Sequence, residues 1–122
     1  MRVLVAFDDE HHAYREIIAA GIGLLRPQVE VSTAAPADLG AALRRLDPQV
    51  VVCGVPGRSD PGGVPAWVEL PPEVGRPARI RVGDFRRREV VGLSLEELLA
   101  IVDEAEELVG KRDDRASERG AP

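Results

Sequence analysis

Strand-length apolar runs alternate with helical patterns over residues 1–54, and this alternation constrains the fold more than any other feature. Residues 2–7 and 49–54 are β-prone and almost entirely apolar, which is typical of central strands that a parallel sheet buries on both faces. A shorter strand is predicted at 29–33, with a helix on each side of it. The order strand–helix–strand–helix–strand favours parallel strands joined by right-handed crossovers.

Each predicted helix combines boundary signals with an apolar stripe. The first helix follows an acidic run and ends before Pro27, and the second begins at Pro36. The last begins at Ser94, where Glu97 completes a capping box, and is expected to end at Gly110. The residues expected to face the core are Tyr14, Ile17, Ile18, Gly21, Ile22 and Leu25, then Leu39, Ala42, Leu43 and Leu46, then Leu95, Leu98, Leu99, Val102, Ala105, Leu108 and Val109.

The pattern changes in the second half of the chain. Ten prolines and glycines fall within residues 55–77, a density that excludes a crossover helix of ordinary length. Residues 78–82 alternate strictly between apolar and arginine side chains, which predicts a half-exposed strand. We expect residues 66–92 to form an antiparallel hairpin or meander that extends the sheet. Trp67 is expected in the core, because the chain has only four aromatic residues.

The sequence therefore predicts an α/β fold in three layers: a parallel βαβαβ half, an antiparallel hairpin extension, and a C-terminal helix packed on the sheet. A length of 122 residues suits one domain. We expect that domain to span residues 1–110. Residues 111–122 carry charges and no apolar pattern, so a flexible tail is expected there.

Composition excludes several classes of protein. Sixteen basic residues against 21 acidic ones give a net charge of −5, which disfavours a basic nucleic-acid binder. The single cysteine excludes an internal disulfide framework and a four-cysteine zinc site. No apolar run is long enough to span a membrane. Because Met1 leads almost directly into a strand, no signal peptide is expected, and the expected location is the cytoplasm.

Three segments carry a resemblance to a known family. Residues 2–5 run into the acidic cluster Asp8-Asp9-Glu10, Leu46-Asp47-Pro48 precedes the third strand, and residues 93–99 begin the last helix. Together they resemble the receiver domain of bacterial response regulators. The resemblance rests mainly on residues 2–54, and it implies a receiver-like or flavodoxin-like arrangement of helices around a parallel sheet.

The resemblance also implies a phosphoryl-acceptor site that this chain does not complete. In receivers, an acidic pair after the first strand holds Mg²⁺ beside an aspartate at the end of the third strand. Asp8 and Asp9 match the acidic pair. The acceptor position falls on Gly54, or on Cys53 if the register shifts by one, and neither residue supplies a carboxylate.

Two further receiver features are missing. Val82-Gly83 stand where the switch hydroxyl is expected, and the only lysine of the chain, Lys111, does not match the lysine of the fifth strand. The resemblance therefore implies a degenerate pseudo-receiver that takes no phosphate. No enzymatic activity and no cofactor are expected.

Candidate ligand-binding residues gather where the first and third strands end, the edge at which α/β proteins place ligands. They are Asp8, Asp9, Cys53, Gly54 and, in the following Pro- and Gly-rich loop, Arg58. Asp8 and Asp9 are also candidates for a vestigial divalent-ion site, although a solvated acidic helix N-terminus accounts for the same residues. A lone cysteine on an apolar strand is usually an inert, small hydrophobic residue, which is the alternative interpretation of Cys53.

Charge is segregated along the chain. Residues 76–88 contain six arginines, and residues 96–107 contain six acids and no base. The two segments face each other within one subunit, are solvated separately, or meet across two subunits. The last alternative predicts a homodimer. Its candidate interface residues are Arg79, Arg81, Arg86 and Arg88.

Two function hypotheses from different classes follow. The first is a non-catalytic regulatory or protein-interaction module of receiver-like descent. The alternative is a small-ligand or nucleotide-binding domain, because residues 3–8 and 11–16 also resemble the start of a universal stress protein, although the glycine-rich phosphate signature of that family is absent. An enzyme ranks last, since the sequence assembles no acid–base or nucleophile–base pair.

Overall fold

The structure of the chain is a computed structural model. It describes residues 1–54, 63–71, 75–83 and 86–120, with the side chains of Arg86 and residues 111–120 outside the description. The strands are β1 (Arg2–Ala6), β2 (Glu30–Ala34), β3 (Val50–Cys53), β4 (Ala66–Glu69), β5 (Ala78–Val82) and β6 (Arg86–Val90). The α-helices are α1 (His12–Leu25), α2 (Leu39–Leu46) and α3 (Leu95–Gly120).

The strands form one mixed sheet in the order β2-β1-β3-β4-β5-β6. Strands β1 to β4 run parallel, whereas β5 is antiparallel to β4 and β6 is antiparallel to β5. The α/β fold is confirmed as a mixed six-stranded sheet with three α-helices. The receiver-like or flavodoxin-like topology is not confirmed, because the order β2-β1-β3-β4-β5-β6, with antiparallel pairing of β5 and β6, differs from the arrangement of those folds.

The expectation that residues 66–92 form an antiparallel hairpin or meander that extends the sheet is confirmed for the described strands, since β4, β5 and β6 pair antiparallel in succession. The meander joins the parallel half through β4, which pairs in parallel with β3.

Helices cover both faces of the sheet. Because β1 lies between β2 and β3, crossovers of one handedness place α1 and α2 on opposite faces. One buried cluster joins α1 and α3 to one face, and its members include Val3, Val5, Phe7, Ile18, Ile22, Val50, Val52, Val68, Ile80, Leu98, Ile101 and Val102. The cluster on the other face, beneath α2, consists of Leu4, Ala6, Leu39, Ala42, Val51, Cys53 and Trp67. The predicted burial of Trp67 is confirmed.

The predicted burial of Ile17 and Leu25 in α1 is wrong. Ile17 is 67% exposed and Leu25 is 48% exposed, while Ile18 and Ile22 face the sheet. Successive helical residues are about 100° apart, so a helix that aims Ile18 and Ile22 at the sheet turns Ile17 away from it. The helix is apolar on more of its circumference than the sheet covers.

The capping signal at the start of α3 is confirmed. The backbone N–H of Glu97 donates to Ser94 Oγ at 3.1 Å. The predicted end at Gly110 is wrong, since α3 continues to Gly120. A glycine within a helix costs only about 1 kcal/mol relative to alanine and does not by itself stop it. The flexibility expected of residues 111–122 stays a prediction. Within the described ranges, no helix combines the length and apolar character that crossing a bilayer requires.

Candidate functional site

Asp8 leaves β1 at the carboxyl edge of the sheet and caps the short 3-10 turn at Asp9–His11. Its Oδ1 accepts the backbone N–H of His11 at 3.1 Å and lies 2.6 Å from Nδ1 of the His11 ring. An aspartate with extended backbone angles is a preferred N-cap, because its oxygen satisfies an N–H that the helix leaves unpaired. The carboxylate of Asp8 is therefore engaged in local structure.

The neighbouring Asp9 points elsewhere, and its side chain is almost fully exposed. Among the described residues, the group whose possible ligand atoms all lie within 4.8 Å of one another is Asp8, Glu10 and His11. The predicted pair Asp8 and Asp9 thus shares an edge but does not converge on one point. Adjacent side chains diverge, and exposed acids at a helix start are stabilised by the helix dipole without any metal.

A protein cation already lies at this edge. Nη1 of Arg15 donates to the carbonyl oxygen of Phe7 at 3.0 Å and lies 3.9 Å from Oδ1 of Asp9. The Arg15 side chain is mostly buried. Its guanidinium supplies positive charge beside the end of β1 and lowers the need for a bound cation there.

Gly54 directly follows β3, and its backbone N–H donates to the carbonyl oxygen of Ala6 at 3.0 Å. A Cβ placed on Gly54 would overlap the ring of Phe7. The ring of Tyr14 packs edge-on against Phe7, with centroids 5.2 Å apart and an interplanar angle of 82°. Burial raises the pKa of the Tyr14 phenol. The Phe7 ring therefore fills the space into which a side chain at position 54 would extend, and Tyr14 packs against that ring.

Cys53 lies on the opposite face of the sheet from Phe7. It pairs with Ala6 in the parallel ladder and is fully buried among the apolar residues beneath α2. Alternation along β3 separates its thiol from the position of a side chain at Gly54, so one site does not use both. The surroundings match the interpretation of Cys53 as a small buried hydrophobic residue.

The candidate interface arginines have different surroundings. Arg79 is exposed and lies 3.5 Å from Glu89 of β6, and Arg88 lies 3.8 Å from Glu104 of α3. The arginine-rich hairpin and the acidic helix thus meet within one subunit at Arg88. The side chain of Arg86, and the whole of the predicted ligand residue Arg58, lie outside the described residues.

Arg81 is buried, although strand alternation predicts exposure. Its guanidinium donates to the carbonyl oxygens of Gly83 at 2.6 Å and Val64 at 2.7 Å. These hydrogen bonds compensate the desolvation of the charge and tie the segment before β4 to the turn after β5. Arg81 is a structural residue rather than an exposed contact.

Sequence reasoning missed an apolar stripe on the outside of α1. Its members are Ala13, Ile17, Ala20 and Leu24, and all four are exposed. Their spacing of four, three and four residues puts them on one helical face, opposite the buried Ile18 and Ile22. The signal was present as the unbroken apolar run 17–22, which is apolar all round the helix.

No family model matches this chain, and no similar curated protein or solved structure was found.

Proposed function

We propose that the protein is a non-catalytic regulatory or protein-interaction module of receiver-like descent, acting in the cytoplasm. The observation that carries the proposal is the exposed apolar stripe of α1, in which Ile17 and Leu24 stand 67% and 80% exposed. A surface helix normally presents polar side chains to water, and contiguous exposed apolar side chains mark interaction sites.

The surroundings of Gly54 support the absence of phosphoryl transfer. Phe7 fills the space that a carboxylate at position 54 requires, and Asp8 is engaged as a helix cap. We expect no aspartyl-phosphate by mass spectrometry after incubation with acetyl phosphate and Mg²⁺. An adduct on any aspartate would contradict this part of the proposal.

The proposal includes self-association through β6, which is an edge strand of the sheet that the described residues form. An edge strand exposes unpaired backbone groups that a second copy can pair. Two-fold antiparallel pairing centred on Arg88 sets Arg87 opposite Glu89 of the partner subunit, twice in each dimer. The two-fold registers centred one residue away, on Arg87 or Glu89, oppose like charges instead, so charge selects this register.

Arg88 meets the partner's Arg88 in this register, which is unfavourable. Its ion pair with Glu104, at 3.8 Å on the α3 side of the sheet, offsets part of that repulsion. Light scattering over a concentration series tests self-association. In parallel, thermal shift with nucleotides discriminates the ligand-binding alternative, because a ligand that binds only the folded state raises Tm and an interaction module gains nothing.

A further inference from the structure

We draw no further inference here: the strongest candidate, the exposed apolar stripe on the outside of α1 formed by Ala13, Ile17, Ala20 and Leu24, carries none beyond the proposed function, because nothing in the structure shows what covers it.

Discussion

The ring of Phe7 occupies the space into which a side chain on Gly54 would project. The two residues directly follow the adjacent parallel strands β1 and β3, and the backbone N–H of Gly54 donates to the carbonyl oxygen of Ala6 at 3.0 Å. The backbone of Gly54 does not have a positive φ. Glycine is needed here because a side chain would not fit, and not because of an unusual backbone angle. The position that the resemblance matches to the acceptor aspartate of receivers therefore has no room for a side chain.

Gly54→Asp should therefore destabilise the protein and should not create a phosphoryl acceptor. Forcing a side chain against Phe7 costs about 1–3 kcal/mol or more in the free energy of unfolding, measured by urea denaturation. Gly23→Ala is the control, because no atom lies within 4 Å of an added Cβ. That substitution should stabilise α1 by about 0.5–1 kcal/mol. Equal stability of Gly54→Asp and the parent would refute the steric argument.

Asp8→Ala should destabilise the protein by about 0.5–2 kcal/mol, because the N–H of His11 loses its cap. Asp9→Ala is the matched control, since Asp9 is almost fully exposed and lies 3.9 Å from Arg15. It should change the unfolding free energy by less than about 0.5 kcal/mol. If the two variants are equally stable, Asp8 is not the cap.

The Arg26–Asp103 pair should make stability depend on pH in the acid range. Hydrogen bonds from Arg26 hold the pKa of Asp103 below its ordinary value, and the same pairing raises the pKa of Arg26. The unfolded state then binds more protons than the folded state around the ordinary Asp pKa of about 3.9. The contribution of the pair to the free energy of unfolding is present above that pH, and it is lost as the pH falls through the pKa of Asp103 in the folded state.

Asp103→Asn should flatten this part of the pH profile. The difference in unfolding free energy between parent and variant should shrink as pH falls below about 4. A difference that grows with acidification would contradict the assignment, since it would require a raised pKa for Asp103.

Arg81→Met should lower the free energy of unfolding by about 1–3 kcal/mol, because the carbonyl oxygens of Val64 and Gly83 lose a charged hydrogen-bond donor. Arg79→Met tests the same substitution on the same strand at an exposed position. It should change stability by no more than about 0.5 kcal/mol. Urea denaturation of both variants measures the contrast, and equal losses would show that burial of Arg81 contributes nothing.

Charge exchange tests the register proposed for β6. Arg87→Glu should abolish self-association, because it faces Glu89 of the partner subunit with a second carboxylate. Adding Glu89→Arg together with Arg79→Glu should restore it, because the signs across the interface are exchanged while positions 79 and 89 keep opposite charges. Arg45→Glu, on the exposed side of α2, changes the net charge as much as Arg87→Glu and should leave self-association intact. A triple variant that folds and remains monomeric would exclude this register.

Local pattern was enough to predict the parallel half. The apolar runs at β1 and β3, the prolines near α1 and α2, and the Ser94 cap mark elements that the structure contains. These signals act within a few residues, so they can be recognised without knowing the partner strand. The parallel pairing of β4 with β3 could not be predicted, because local pattern does not encode the direction in which a strand joins its neighbour.

The buried face of α1 and the burial of Arg81 could not be predicted without knowledge of the tertiary contacts. An apolar run does not reveal which arc of the helix the sheet covers, so Ile17 was indistinguishable from Ile18. Strand alternation placed Arg81 on the correct face but could not show that Val64 and Gly83 bury it. Likewise, the three-dimensional arrangement of the ends of β1 and β3 is needed to show that the Phe7 ring fills the space beside Gly54.

Sedimentation equilibrium over a wide concentration range tests the central claim most directly, because an interaction module that self-associates must change its average mass. The account predicts that the mass rises from the 13.2 kDa of one chain toward twice that value as concentration increases. A mass that stays at 13.2 kDa up to the highest soluble concentration would contradict it.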